Sequence, residues 1–490
     1  MKAKKKIIIL GAGFSSLAAA SYLAKAGYAV TVLEKNNSIG GRAQQLKRDG
    51  FTFDMGPTFY WMPDVFEKFF ADFECNVNDY YRLLRLDPSY SVCFGADDFF
   101  TLNADKNAIL NAFEAEESGS GERLKRFLDK AKNNYDIAVK DLVYRPGECI
   151  SEIITPATIK RLGAFAKSIK QDVAKYVKSP RLQKILEFPV LFLGAKPSTT
   201  PSFYNFMNYA DLILGTWHPE GGMYEVAAGM ERLALSLGVT IKTGSAASEI
   251  CIEKGVVRAV RCGDTSYPCD ILLSGADYHH TEQLMPAQYR QYSEAYWQKK
   301  TFAPSALLFY VGFDKQLEGL AHHTLFFDVD FETHASAIYD APEYPDEPLF
   351  YASFPSKSDT GVAPEGMEAG IFLIPLAPGL EDNEDIRERY FEIILERLEK
   401  TTKQNVRPHV LFKESFSVNN FVSTYNSYKG NAYGLANTLL QTHVLRPKLR
   451  SRKVSNMFFT GQLTVPGPGV PPSLISGKIV SELIVKHHAP

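Results

Sequence analysis

The stretch Ile7-Ile8-Ile9-Leu10-Gly11-Ala12-Gly13, running on into Phe14 to Ala20, constrains this chain more than any other. An unbroken apolar run of this kind is a strand buried on both faces. Gly11 and Gly13 follow at once, and a helical segment then runs to Gly27, a suitable C-terminal cap. In the G-x-G-x-x-G pattern the first glycine permits a tight turn and the second lets backbone approach a pyrophosphate. The third lets helix and strand pack closely. Ser16 stands at that third position. It is small and leaves the phosphate-binding positions untouched. The next strand, Ala29 to Leu33, ends at Glu34, roughly 20 residues on, where a carboxylate holds a ribose hydroxyl. Its negative charge argues against a 2′-phosphate and so against NADP. Strand, turn, helix, strand and acid together predict a dinucleotide cradle at the head of an α/β fold.

At 490 residues the chain is long enough for two or three domains. A net charge of −2 shows no basic excess, so nucleic acid is not an expected partner. Aromatic residues make up 12% of the chain, which suits a protein with much apolar surface to line. No run of about 18 apolar residues occurs, so no transmembrane helix is expected. The leader Met1 to Lys6 runs straight into a core strand and lacks the apolar region of a signal peptide. The six cysteines are scattered without Cys-x-x-Cys or zinc spacing, which favours a reduced cytoplasmic setting. His279-His280 and His322-His323 are read as strand neighbours pointing to opposite faces, so no metal site is expected.

The pattern changes along the chain. A βαβ start is followed by a mostly helical stretch over 105–185 and an aromatic, Pro/Gly-rich stretch over 186–225. A short helix is expected from Gly229, a strand over Val239 to Thr243, and hairpin material from 250 to a buried strand at Ile271 to Leu273. Strands at Ala306 to Phe313 and Gly370 to Leu376 precede a helix near 384–402. Met457 to Gly461 forms a last buried strand, then a Pro/Gly loop leads to a helix over Ser473 to Lys486. The nucleotide fold is therefore discontinuous, with a second domain inserted.

Three further motifs bear on chemistry. Ile39-Gly40-Gly41-Arg42 places backbone N–H groups and a guanidinium fork near an anion. In Asp54-Met55-Gly56-Pro57-Thr58, Gly56 and Thr58 would bring backbone and a hydroxyl to a flat ring, with Asp54 a structural residue. Thr460 to Pro471 is a glycine-rich loop feeding a helix N-terminus, a second anion or carbonyl site. With Gly221-Gly222-Met223 and Ser274-Gly275-Ala276-Asp277, these motifs make the chain resemble the bacterial-type carotenoid (phytoene) desaturases, within the wider amine-oxidase-like flavoproteins. The resemblance spans essentially the whole length. Ser16 and Gln462 depart from the family's usual residues.

The resemblance implies an α/β fold: a discontinuous Rossmann-like FAD-binding domain, an inserted substrate domain of mixed sheet plus helices, and a helical, membrane-facing region. The expected segments are 1–104, 226–285 and 446–490 for FAD, 105–225 for the helical and aromatic membrane region, and 286–445 for the substrate sheet. FAD is expected on Gly11, Gly13, Phe14, Ser15, Ser16, Glu34, Lys35, Gly41, Arg42, Gly56, Pro57 and Thr58. Ala247, Gly275, Gly461, Gln462, Gly469, Val470 and Pro471 complete the set. The implied activity is stepwise desaturation of a lipophilic polyene such as phytoene. Hydride loss next to a conjugated chain leaves a delocalised cation whose neighbouring proton is very acidic, so no strong base is demanded. Asp211, His218 and Glu220 are candidates in the aromatic middle, and none is assigned a catalytic role. Alternatives are a later desaturase of hydroxylated carotenoids, an amine or protoporphyrinogen oxidase, and a flavin-free, prenyl-binding escort protein. The intact C-terminal loop argues against the last.

A lipid-dissolved substrate requires an entrance from the membrane. Residues 158–185 place Lys160, Arg161, Lys167, Lys170, Lys175, Lys178, Arg181 and Lys184 against the single acid Asp172, with apolar residues at spacings of three and four. That pattern predicts one basic amphipathic helix and peripheral binding at the cytoplasmic face of the inner membrane.

Overall fold

The computed structural model describes residues 4–140, 142–159 and 167–490. Its first sheet is five-stranded and parallel, in the order β5-β4-β1-β2-β3. The strands are β1 (Lys6–Leu10), β2 (Ala29–Leu33), β3 (Thr240–Lys242), β4 (Ile271–Ser274) and β5 (Met457–Phe459). Strands from both ends and the middle of the chain thus meet in one sheet, as the alternating patterns predict. Helix α1 (Phe14–Lys25) crosses from β1 to β2, and Gly27 takes φ 101° just beyond it. Helix α2 (Tyr224–Ser236) begins five residues before the expected Gly229, because Asp54 accepts hydrogen bonds from the Met223 and Tyr224 N–H groups at its start. Helix α3 (Val470–His487) packs along α1, so closely that a Cβ on Gly477 would overlap the Ser15 carbonyl.

The second sheet has seven strands, mostly antiparallel. In order they are Val410–Phe416, Ser305–Phe313, Glu368–Leu376, Phe350–Ser353, His323–Phe326, Tyr90–Gly95 and Asp98–Leu102. The last two lie inside the expected first FAD segment, 1–104, yet they pair into this sheet through Thr324 to Phe326. The strand period of two divides its faces. Leu307, Phe309, Phe326, Phe372 and Ile374 pack on the Glu384–Thr402 helix through Tyr390, Ile394 and Leu398. On the opposite face, Ala306, Leu308, Leu325, Tyr351 and Leu373 look into a large cavity.

The expected basic helix over 158–185 is not one helix. Residues 160–166 lie outside the described residues. Beyond them, Ser168 caps a short helix, Ile169–Val173, and Ser179 with Pro180 starts another, Pro180–Glu187. The serine cap and the proline at the first helical turn each impose a new start, a signal that outweighs the periodicity. Two of the described basic residues also find acids from elsewhere in the fold. Lys170 pairs with Glu332 at 2.6 Å, Arg181 with Asp98 and Glu116 at 2.8 and 2.9 Å, and Asp172 is buried between Lys130 and Lys175. His279 and His280 lie in a helix, Tyr278–Gln283, and not in a strand. Among the described residues no cluster of potential ligands could hold a metal ion.

Candidate functional site

The turn after β1 is built from backbone packed against backbone. Gly11 takes φ 83°, its N–H donates to the Leu33 carbonyl at 2.8 Å, and a Cβ there would press on the Gly275–Ala276 peptide. Gly41, at φ 58°, would place a Cβ 3.2 Å from the Gly13 Cα. A Cβ on Gly56 would overlap the Arg42 carbonyl oxygen. Only glycine permits these approaches. The first turn of α1 carries no acidic residue, so its free N–H groups and positive dipole end open on the cavity. The α3 N-terminus opens there too, but Pro471 and Pro472 remove two of its donors. It is a weaker anion site than expected and serves as a close-packed wall.

The Glu34 carboxylate is buried at the end of β2. It accepts the Ala12 N–H at 2.7 Å and the Asn36 N–H at 2.8 Å, which aims it along the cavity. Arg42 donates to the Ser427 hydroxyl at 2.9 Å and the Asn431 carbonyl at 3.2 Å, and lies over the Tyr425 ring. Its Nε is buried without a partner, and burial lowers the pKa of the guanidinium. An unpaired buried donor beside a helix N-terminus fits an anionic ligand.

Ser16, by contrast, does not line the cavity. Its side chain is fully buried against Gly275, where a Cβ would overlap the Ser16 Oγ. The close approach that the third glycine normally provides on the helix is provided here by a glycine after β4. Every other expected FAD residue lines one cavity of about 860 Å³. It continues past Thr58 into an apolar gallery lined by Phe59, Trp61, Phe188, Phe327, Phe331 and Leu349, and roofed by the seven-stranded sheet. Phe203, Tyr204, Phe206 and Met207 of the aromatic stretch line it as well.

None of the candidate acids in the aromatic middle lines this cavity. Asp211 is buried, accepts from the Tyr90 hydroxyl at 2.7 Å, and is pushed up to about 7 by burial. His218 is buried against Asp359 at 3.1 Å, and Glu220 is exposed. Asp54, buried under the α2 N-terminus, is pushed up to about 6 by burial, against the backbone N–H groups that favour its charge. Sequence reading missed Tyr351, Asn437 and His443 in the wall. They lie in strands or loops distant from the glycine motifs, and only the fold brings them there.

The family model for "flavin containing amine oxidoreductase" matches residues 14–485. The chain belongs to that family. A carotenoid 3,4-desaturase of Haloarcula japonica is 40% identical over 489 residues, covering 98% of each chain. A 4,4′-diapophytoene desaturase of Staphylococcus aureus is 32% identical over 498 residues, covering 98% of this chain and 99% of that one. Among solved structures, an oxidoreductase from Methanosarcina mazei superposes with a TM-score of 0.63 at 18% identity, over 97% of this chain and 100% of that one. A putrescine oxidase double mutant superposes with a TM-score of 0.62 at 14% identity, over 99% of both chains. These last two share the fold.

The cofactor of this flavoprotein is FAD. The residues present fit it: a cradle that side chains would fill, an aimed carboxylate, an unpaired guanidinium nitrogen and a large cavity. The Ser16–Gly275 contact gives a direct test. Gly275→Ala should destabilise the protein by about 1–3 kcal/mol through overpacking. Ser16→Ala, which removes a hydroxyl without a partner, should be near neutral alone and should relieve Gly275→Ala in the double variant. Denaturant unfolding of the four proteins checks it. Strict additivity would mean that the two positions do not meet.

Proposed function

We infer that this flavoprotein is a carotenoid desaturase, an oxidoreductase that removes a hydride and a proton from adjacent carbons of a polyene to make a conjugated double bond. The observation that carries the reading is the single continuous cavity. One end suits a dinucleotide, and the other is apolar and aromatic, as a hydrocarbon requires. The 40% identity to a carotenoid 3,4-desaturase over almost the whole of both chains supports it.

FAD, when bound, supplies a two-electron acceptor for the hydride. The residues proposed to hold it are the Gly11–Ser15 turn, Glu34 and Lys35, Gly41 and Arg42, Gly56 to Thr58, Ala247, Gly275, Gly461 and Gln462, and Gly469 to Pro471. Ser16 is proposed to act only through packing. Segments 1–104, 226–285 and 446–490 would form the FAD-binding part, less the two strands within 90–102 that join the sheet of segment 286–445. The sheet face and the Phe59–Trp61 and Phe188–Met207 aromatics would hold the polyene straight and exclude water from the delocalised cation.

The substrate's insolubility in water supports peripheral contact with a membrane, proposed to be the inner membrane from the cytoplasmic side. Among the described residues no helix is long and apolar enough to cross a membrane. The proposed contact is the cavity rim and not the 158–185 segment. Ile150 and Ile154 line the cavity and are 62% and 60% exposed, while Leu440 and Leu445, beside the cavity-lining Thr442 and His443, are 79% and 47% exposed. Lys448 bridges the Gly147 and Val444 carbonyls between these two segments, placing a cation at the rim.

Three outcomes test these readings. Glu34→Ala should weaken FAD binding about tenfold to a hundredfold, corresponding to about 1–3 kcal/mol for a buried charged contact; titration of the apoprotein with FAD measures it. Incubation of the holoenzyme with acyclic C40 carotenoids in liposomes should bleach the flavin anaerobically and give products absorbing at longer wavelength. Reduction by simple amines but by no carotenoid would refute the assignment. Finally, Ile150→Asp with Leu440→Asp should abolish flotation with anionic liposomes, whereas flotation equal to that of the unmodified protein would move the contact elsewhere.

A further inference from the structure

Beneath the roof of the cavity lies a row of polar side chains that nothing above uses. Tyr351 lines the cavity, and its hydroxyl sits 2.8 Å from the Thr58 Oγ1 and 2.6 Å from the His323 Nδ1. His323 is fully buried, its ring stacked on Phe59 with centroids 4.0 Å apart. The His322 ring follows at 4.3 Å and the His218 ring at 4.9 Å beyond it. His218 Nε2 then meets the Asp359 Oδ2 at 3.1 Å. Asp359 is held by the Gly221 N–H at 2.7 Å and the Gly361 N–H at 2.9 Å.

Two atoms in this row have no hydrogen-bond partner: His323 Nε2 and His322 Nδ1. They belong to neighbouring rings. A buried polar atom without a partner is costly and calls for an explanation, and here the two atoms belong to rings whose centroids are 4.3 Å apart. With Tyr351 donating to Nδ1, His323 is the neutral Nε2–H tautomer, and the remaining rings in the same tautomer each accept at Nδ1 and release from Nε2.

We propose that Tyr351, His323, His322, His218 and Asp359 form a proton path out of the cavity, which takes up the proton lost by the substrate. The proposal rests on the desaturase reading. Desaturation removes two hydrogens from adjacent carbons, and one leaves as hydride with its electron pair. The other leaves as a proton while its C–H electrons form the new double bond. The Tyr351 oxygen takes that proton as its own hydroxyl hydrogen passes to His323 Nδ1. His323 Nε2–H passes to His322 Nδ1 by a swing of the rings, His322 Nε2–H to His218, and His218 Nε2–H to Asp359 and water. Each link gains and loses one proton, and no electron moves along the row.

The surroundings suit transit and not storage. Burial, with the His218 imidazole adding, holds His323 well below its ordinary value. His322 is lowered by burial, by His323 and His218, and by Lys357. Asp359 stays below the usual carboxylate range despite its burial, because His218 and two backbone N–H groups favour its charge. The Asp54 charge acts on both His218 and Tyr351, and Tyr433 acts on Tyr351. A proton beside a delocalised cation is acidic enough to enter such weak bases, which then pass it on.

The experiment follows anaerobic flavin reduction in liposomes by phytoene or whichever other acyclic carotenoid reduces the unmodified holoenzyme, in H2O and D2O, for the holoenzyme and its Tyr351→Phe and His218→Gln variants. Tyr351→Phe should retain FAD and slow reduction about a hundredfold, within the usual range for proton transfer by a positioned group. The solvent isotope effect present in the unmodified enzyme should be absent from the variant. His218→Gln, remote from the cavity, should retain FAD and slow reduction about tenfold, and decides the matter if Tyr351→Phe does not fold. Independently, 15N NMR of histidine-labelled holoenzyme should find His323 in the neutral Nε2–H form from about pH 5.5 to 8.5. Reduction within twofold of the unmodified rate in His218→Gln, or a protonated His323 in that range, overturns the path and leaves the desaturase reading standing. No reduction of the unmodified enzyme by any acyclic carotenoid overturns both.

Discussion

The Glu34 carboxylate joins two backbone donors, the Ala12 N–H and the Asn36 N–H, at the point where β1 and β2 both end. Everything that makes the cradle depends on that junction. It fixes the turn between β1 and α1, and so the direction in which the α1 N-terminus points. It also fixes the start of the loop that carries Gly40 to Arg42 back across Gly13. A carboxylate used structurally in this way is satisfied on one side by the chain and presents its remaining lone pairs to the cavity. Structure and binding therefore share one side chain. The same economy recurs at Asp54, which caps α2 while its strand leads into the Gly56–Thr58 wall.

The second constraint is the two-faced sheet that roofs the cavity. Its outer face is closed by the Glu384–Thr402 helix, so its inner face is free to be apolar without being filled. A cavity of about 860 Å³ lined this way persists because rigid elements hold its walls apart from both sides. Its apolar gallery suits a hydrocarbon, and its charged groups Glu34 and Arg42 lie at the glycine-rich turns. Two polar groups of the wall, Thr58 and Tyr351, bond to one another.

The glycine-rich turns were legible because their physics is local. A positive φ or a backbone contact leaves glycine in the sequence, and Gly11, Gly41, Gly56 and Gly461 all stand where the motifs put them. The strands and the 384–402 helix were legible from their period. In the 158–185 segment the helical period competes with the Ser168 and Ser179-Pro180 start signals, which prevail, and Lys170 and Arg181 of its basic excess are paired. Their acids, Glu116, Asp98 and Glu332, lie far away in the chain. The histidines were misread by the same locality. His322 and His323 do not point to opposite faces: His322 precedes the strand that begins at His323, their rings lie 4.3 Å apart, and His218 and Tyr351 arrive from other strands to continue the row.

The sequence by itself determined the glycine-rich turns, the discontinuous order of the parallel strands and the family to which the chain belongs. Each rests on residues close together in the chain, where backbone geometry and hydrophobic period dictate the outcome. Only the tertiary structure decided what faces the apolar gallery, where its rim opens, how Gly275 makes room for Ser16, and which buried polar groups meet. Those features depend on contacts between segments hundreds of residues apart. A side chain's role there is set by the partner that packing brings to it, and no local pattern encodes that partner.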